Sequence, residues 1–128
     1  MKILVYSSLV FLLLISAISE TQAQNWPGWR GPNGDGTSVE TSLPVKWDSV
    51  TNVAWKVTVP GSGYSSPVVY NERLFITSAL QNTQEKVLLC YDNRNGKLLW
   101  QRTVVKSPFE KKHDNNSHAS GTPATDGK

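Results

Sequence analysis

The side chains best suited to metal chemistry lie together in the stretch HDNNSH. His113, Asp114 and His118 supply two imidazoles and one carboxylate. Such groups ligate Zn²⁺, but a zinc site needs about four ligands in a fixed geometry, and no further ligand is near in sequence. We therefore interpret the stretch as a solvated loop. If it faces the mouth of a larger fold, the two histidines would contribute to a binding surface.

Three other stretches contain residue types found in ligand or catalytic sites. NGDG, at 33–36, has the oxygen ligands and glycines of calcium loops but not the final bidentate Glu, which favours a turn. GSGYSS, at 61–66, lacks the G-x-S-x-G elbow of serine hydrolases. Cys90 is the only cysteine, and its apolar neighbours indicate a small buried hydrophobe. None of these stretches forms a complete catalytic motif.

The N-terminus has the pattern of an export signal. Lys2 precedes the apolar run ILVYSSLVFLLLISAI, and Thr21 and Ala23 are suitably placed before a cleavage site. We predict a signal peptide over 1–23, a mature chain from Gln24 and a periplasmic or secreted location. The alternative is a membrane anchor, but the run is shorter than the roughly 20 residues that cross a bilayer. No membrane span is expected after cleavage.

The charge balance argues against a nucleic-acid partner. The formal net charge is only +3, and the Lys and Arg residues are spread along the chain. Nucleic-acid-binding domains instead concentrate their positive charge on one face or along one helix. We expect no nucleic-acid binding.

Beyond residue 51 the pattern predicts short antiparallel strands. Before that point, the Gly- and Pro-rich residues 24–51 predict a loop segment, which Trp26 and Trp29 would pin to the rest of the fold. The connections between strands are too short for crossover helices, and several strands are continuously apolar, which indicates that both faces of the sheet are covered. The predicted strands, each bounded by turn residues, are 52–59, 66–70, 73–79, 85–91 and 97–105.

The stretch CYDNRNGKLLWQ predicts the tightest of these hairpins. Asp92 supplies a side-chain acceptor, and Asn95 and Gly96 supply the positive-φ positions. Trp100 then falls on the outer strand, where its ring can fill a wedge between stacked sheets and its N–H can donate to a backbone carbonyl. The alternative is a generic hairpin with a tryptophan in its core.

The sequence also contains an internal repeat. WKVTV aligns with WQRTV, which places Trp55 and Trp100 45 residues apart. Downstream, YSSPVVYNE aligns with SGTPATDGK, so that Pro67 matches Pro123. The second spacing is longer by eleven residues, and the excess falls in a polar stretch that predicts a loop insertion. A period of about 40–50 residues is typical of a four-stranded propeller blade.

These residues resemble the PQQ-type β-propeller repeat, the blade of bacterial quinoprotein dehydrogenases and of non-enzymatic scaffold propellers. The blade pattern is an Asp, a Thr-Gly-Lys turn and a Trp. It stands here as Asp92, Asn95-Gly96-Lys97 and Trp100, with Asn95 in place of Thr. The start of the mature chain also resembles the N-terminus of exported proteins with this repeat.

The resemblance implies an all-β fold of four-stranded antiparallel blades. One blade would cover 66–105, a closing strand 52–59, and the start of the next blade 119–128. One blade would leave apolar faces and edges uncovered, so the resemblance also implies an incomplete propeller, with a chain that needs further blades.

The resemblance leaves two functions open. The first is an exported binding or scaffold module whose rim loops hold a protein or polymer partner. The second is a periplasmic PQQ- and calcium-dependent quinoprotein dehydrogenase of alcohols or sugars. In those enzymes side chains from many blades hold the quinone and Ca²⁺, and several have an adjacent cysteine pair, whereas Cys90 stands alone. We therefore expect the binding module and assign no catalytic, metal or cofactor residue.

Overall fold

A single antiparallel sheet organises the chain. The computed structural model describes residues 25–128, so the predicted signal peptide and Gln24 lie outside the described residues. The strands are β1 (Val68–Tyr70), β2 (Arg73–Leu80), β3 (Glu85–Asp92) and β4 (Leu98–Lys106), and they pair in sequence order. An all-β antiparallel four-stranded sheet is thus confirmed. Over residues 25–128 no helix is long and apolar enough to cross a membrane.

The tight connections determine this order. Asn71 and Glu72, between β1 and β2, have φ values of 46° and 60°. Positive φ at both central residues is the mark of the two-residue hairpin turn whose twist matches that of the flanking strands. β3 and β4 also form a hairpin, with two register shifts in their pairing.

One face of the sheet carries the hydrophobic core, and we call it the core face. Val87, Leu89 and Tyr91 alternate along β3 and are at most 2% exposed. Leu74 and Ile76 on β2 pack against them. Period-two alternation directs these side chains to one side of the sheet, where their burial contributes roughly 25 cal/mol per Å² of apolar surface.

The opposite face is apolar near its centre, and we call it the Trp100 face. Phe75, Cys90 and Trp100 lie side by side on β2, β3 and β4. The ring centroids of Phe75 and Trp100 are 6.0 Å apart, and the ring planes are tilted by 51° relative to each other. Cys90 is fully buried, and burial raises the pKa of its thiol, as expected for an inert core cysteine. Apolar side chains on both faces account for the unbroken run VLLCY.

Residues 52–59 differ from their prediction, because the structure assigns no strand to them. A strand needs a hydrogen-bonded neighbour, and this segment lies across the core face, where it can bury side chains without joining a ladder. Val59 packs against the core cluster, and beyond it Ser62 forms an isolated antiparallel bridge with Ala79. The strand prediction was wrong here. The role of 52–59 in closing a blade stays a prediction.

The two ends of the described chain lie beside β1. Trp26 and Val69 exchange both backbone hydrogen bonds, at 2.7 and 3.0 Å. The backbone N–H of Thr125 in turn donates to the carbonyl of Pro27 at 3.0 Å. Residues 119–128, predicted to begin another blade, form no strand here.

Truncation of the central core residue should cost much more than truncation at the outer strand. Leu89 is fully buried, whereas Leu99 on β4 is 40% exposed. We expect Leu89→Ala to lower the free energy of unfolding by about 2–5 kcal/mol and Leu99→Ala by about 1 kcal/mol. Denaturant unfolding of the chain measures both, and similar values would contradict this placement of the core.

Candidate functional site

The turn between β3 and β4 is held by a compact set of polar contacts. Asp92 accepts hydrogen bonds from the Arg94 backbone N–H at 2.9 Å and from its Nε at 3.1 Å and Nη2 at 2.9 Å. The Asn93 N–H donates to the Glu72 carbonyl at 2.8 Å, which joins this turn to the β1–β2 turn. Asp92 is therefore the acceptor at the turn, as the sequence predicts.

Only one of the two predicted positive-φ residues has that conformation. Gly96 has φ +72°, and its N–H donates to the Asp92 carbonyl at 2.8 Å. Asn95 is not among the positive-φ residues. Its side-chain oxygen instead accepts the Lys97 N–H at 2.9 Å. Asn95 therefore stabilises the turn as a hydrogen-bond acceptor, and the prediction of positive φ there was wrong.

Trp55 docks on this turn. Its indole N–H donates to the carbonyl of Asn93 at 2.8 Å. Its ring lies against Gly96 so closely that a Cβ on that glycine would be 2.5 Å from the Trp55 Cε3 atom. The backbone conformation and the nearby ring therefore both require glycine at position 96.

Trp100 has different neighbours from Trp55. It lies on β4, as predicted, and packs against Phe75 on the Trp100 face. Within residues 25–128 its ring N–H makes no hydrogen bond, in contrast to that of Trp55. The two aligned tryptophans thus lie on opposite sides of the sheet, because the segment that contains Trp55 crosses the core face.

The two aligned Pro-containing elements lie next to each other. Ser66-Pro67 leads directly into β1, and Thr122-Pro123 lies alongside it. The Ser66 N–H donates to the hydroxyl of Thr122 at 3.1 Å. Residues 56 positions apart in sequence are therefore brought together at the entrance to the inner strand.

The stretch 106–119, which is predicted to hold the loop insertion, lies at the end of the sheet opposite the docked Trp55. Lys106 still belongs to β4, and we call residues 107–118 the insertion loop. At its start the Ser107 N–H donates to the Gln84 carbonyl at 3.2 Å, in the β2–β3 turn. Just past its end the Ala119 carbonyl accepts the N–H groups of Tyr64 and Ser65 at 3.0 and 3.1 Å. The loop is thus anchored at the β2–β3 turn and at the segment that precedes β1, while 110–116 are exposed.

The histidines of this loop have structural partners. His113 Nδ1 accepts the Asn115 N–H at 3.2 Å, and the His118 ring stacks on Phe109 with centroids 4.3 Å apart. Over the described residues no group of three or more His, Cys, Asp or Glu side chains could hold a metal ion. Residues 110–116 are exposed, whereas Phe109 and His118 are half-buried, so the loop is solvated in its middle and packed at its ends. The stacking between His118 and Phe109 carried no sequence signal, since nine residues separate them.

The other candidate stretches have local contacts of turns and anchors. Asp35 accepts the N–H and hydroxyl of Thr37, both at 2.9 Å, which makes NGDG a turn. Within GSGYSS, Ser62 bridges to β2 and Ser65 helps anchor the insertion loop. Trp29 is 63% exposed with Arg30 over its ring, so Trp26 alone of the pair attaches the N-terminal segment.

Two polar residues of this site were not predicted from the sequence. Arg94 forms ion pairs with both Asp92 and Glu72, and its Nη1 lies 3.7 Å from a carboxylate oxygen of Glu72. In the sequence, only the i, i+2 spacing of Asp92 and Arg94 indicates such a contact. The buried Tyr91 hydroxyl finds no hydrogen-bond partner within the described chain. Leaving such a group unpaired costs about 1–3 kcal/mol.

In comparisons with protein-family models, curated proteins and solved structures, nothing matches this chain. The resemblance to the PQQ-type repeat therefore rests on the residues that carry it.

A methyl group at position 96 should be more disruptive than one at a glycine of the same conformation. Gly34 also has φ +72°, but no atom lies within 4 Å of its added Cβ. Both Gly→Ala changes incur a backbone cost of about 1 kcal/mol. Gly96→Ala also displaces Trp55, so we expect a total of about 2–3 kcal/mol. Denaturant unfolding of the two variants measures these losses of stability. Equal losses in Gly34→Ala and Gly96→Ala would mean that the contact between Trp55 and Gly96 does not contribute to stability.

The Asp92 contacts should make stability depend on acid pH. Hydrogen bonds from Arg94 lower the pKa of Asp92 from 3.8 to about 2. The resulting stabilisation is fully present above pH 3.8 and is lost as pH falls to about 2, because the unfolded chain takes up the proton first. Asp92→Asn should lack this component. The free energy of unfolding of the unchanged protein and of Asp92→Asn, measured across this pH range, tests this prediction. Parallel pH profiles of the two would contradict it.

Proposed function

We propose that this chain is part of an exported β-propeller repeat protein that acts as a binding or scaffold module through its rim loops. The single observation that carries the proposal is Trp55, which reaches over the core face and docks on the β3–β4 turn. In a ring of sheets, each outer strand would dock its tryptophan on the turn of the following sheet in this manner.

Trp100 is placed to make the same kind of contact with the next sheet of the ring. It lies on the outer strand β4 and on the face opposite to the one that the Trp55 segment covers. A further sheet stacked on the Trp100 face would meet Trp100 as this sheet meets Trp55. β4 offers surface for such stacking, because Val105, which pairs with Lys86 on the Trp100 face, is 43% exposed.

The contact between Ser66 and Thr122 supports the same arrangement. Elements aligned by sequence at the start of each repeat are spatial neighbours at the entrance of the inner strand. Around a ring axis, equivalent positions of successive units adjoin one another.

The insertion loop is the surface that we assign to binding. Its ends are fixed to the sheet while 110–116 remain exposed, and loops of this kind on rigid scaffolds commonly carry binding function. It lies at the end of the sheet away from the docked Trp55. A partner could therefore engage the loop without disturbing the contacts that stack the sheets. The partner class we propose is a protein or polymer.

Site-specific photo-cross-linking in the native host tests this assignment. A benzophenone side chain at Lys112, exposed in the insertion loop, would react with C–H bonds of a bound protein or polymer. The same side chain at Lys46, exposed in the N-terminal segment, is the matched control. We expect a discrete cross-linked species from position 112 alone. Equal cross-linking from both positions, or none from position 112, would contradict a binding role for the loop.

An activity assay separates the dehydrogenase alternative. The protein purified from its host would be supplied with PQQ and Ca²⁺, and dye reduction would be followed with a panel of alcohols and sugars. Substrate-dependent reduction would replace the binding function with an enzymatic one.

A further inference from the structure

We propose that Asn33 is a site of spontaneous backbone modification, where it converts to aspartate and isoaspartate while the chain stays folded. Asn followed by Gly is the pair most prone to this reaction, since glycine places no side chain in the path of its own nitrogen. The chain has two such pairs, Asn33-Gly34 and Asn95-Gly96. The structure distinguishes them.

The reaction needs a free glycine nitrogen and a free side-chain amide. The Gly34 nitrogen loses its proton to a solvent base and attacks Cγ of Asn33. The new N–Cγ bond forms as the Cγ–Nδ2 bond breaks and ammonia leaves, giving a five-membered succinimide. Water then adds to either ring carbonyl and opens the ring to aspartate or isoaspartate. Water is the only co-reactant, and no group is oxidised or reduced.

The pair at 95–96 is held against this reaction. The Gly96 N–H donates to the Asp92 carbonyl at 2.8 Å, and the Asn95 side-chain oxygen accepts the Lys97 N–H at 2.9 Å. The Trp55 ring also lies against Gly96. The nitrogen cannot reach Cγ of Asn95 without breaking contacts that hold the β3–β4 turn.

The pair at 33–34 lacks these restraints. The Gly34 N–H has only a long hydrogen bond of 3.4 Å, to the Gly31 carbonyl. Among the described residues the Asn33 side chain makes no hydrogen bond, both residues are exposed, and the space beside Gly34 is open. The nitrogen and Cγ can therefore approach each other at little cost.

The two Asp-Gly pairs of the chain are also protected. The Gly36 N–H donates to the Arg30 carbonyl at 2.9 Å, and the Gly127 N–H to the Thr125 hydroxyl at 3.0 Å. At Asp35, hydrogen bonds from Thr37 keep the carboxylate in its charged form, which is a poor electrophile. Gly34 thus has the longest hydrogen bond of the four glycines that follow Asn or Asp.

The modified site would have a definite chemistry. Conversion replaces a neutral amide by a carboxylate, and isoaspartate adds a methylene to the backbone of the loop. A carboxyl methyltransferase specific for isoaspartate, with S-adenosylmethionine as methyl donor, is the class of enzyme that would take the product as substrate.

Peptide mapping by mass spectrometry tests the proposal. The folded chain is incubated in mildly alkaline buffer, and isoaspartate at each Asn-Gly pair is quantified by enzymatic methylation. We expect Asn33 to convert about tenfold faster than Asn95, since the latter must first lose its hydrogen bonds. In denaturant the two rates should converge. Asn33→Gln should abolish the faster product and leave conversion at Asn95 unchanged.

Either of two results would overturn the proposal. Conversion of Asn95 as fast as that of Asn33 in the folded chain would show that the turn contacts give no protection. A rate ratio that persists in denaturant would assign the difference to local sequence and not to the fold.

Discussion

The contact between Trp55 and the β3–β4 turn is the constraint on which the rest of the described structure depends. The segment around Trp55 has no strand pairing of its own, so its path across the core face is fixed by the docked indole, the packing of Val59 and the bridge at Ser62. The β3–β4 turn must offer Trp55 a carbonyl group to accept its N–H and a position without a side chain to receive its ring. Asn93 supplies the carbonyl, and Gly96 supplies that position. The Trp55 side chain thereby connects the segment over the core face to the β3–β4 hairpin turn.

This arrangement assigns different tasks to the two ends of the sheet. At one end, the turn contacts of Asp92 and Arg94 are short and local and serve to hold Trp55. At the other, the insertion loop is tied only at its ends and leaves its middle exposed. Fixed ends with exposed side chains between them suit the binding role that we propose for this loop. Substitutions at 110–116 should therefore leave the contacts between Trp55 and the β3–β4 turn unchanged.

The sequence predicted the elements that local patterns determine. The four strands of the sheet lie within one or two residues of their predicted bounds, because turn residues mark each hairpin. It failed at 52–59, where only Trp55 and Val59 are partly buried and no strand forms. An apolar β-branched run favours a strand but does not supply the neighbouring strand that it must pair with. The sequence also misassigned the backbone of Asn95, which acts through its side chain. The anchors of the insertion loop join residues more than 50 positions apart, as in Tyr64 with Ala119, and no local pattern encodes such contacts.

The central claim is that Trp55 and Trp100 occupy equivalent positions in successive units of one ring. An experimental structure of the protein isolated from its host tests it most directly. The account predicts that the Trp100 indole N–H donates to a backbone carbonyl in the turn of another sheet, with its ring against a glycine of that turn. A Trp100 face covered by anything other than such a sheet, or left open to solvent, would contradict it.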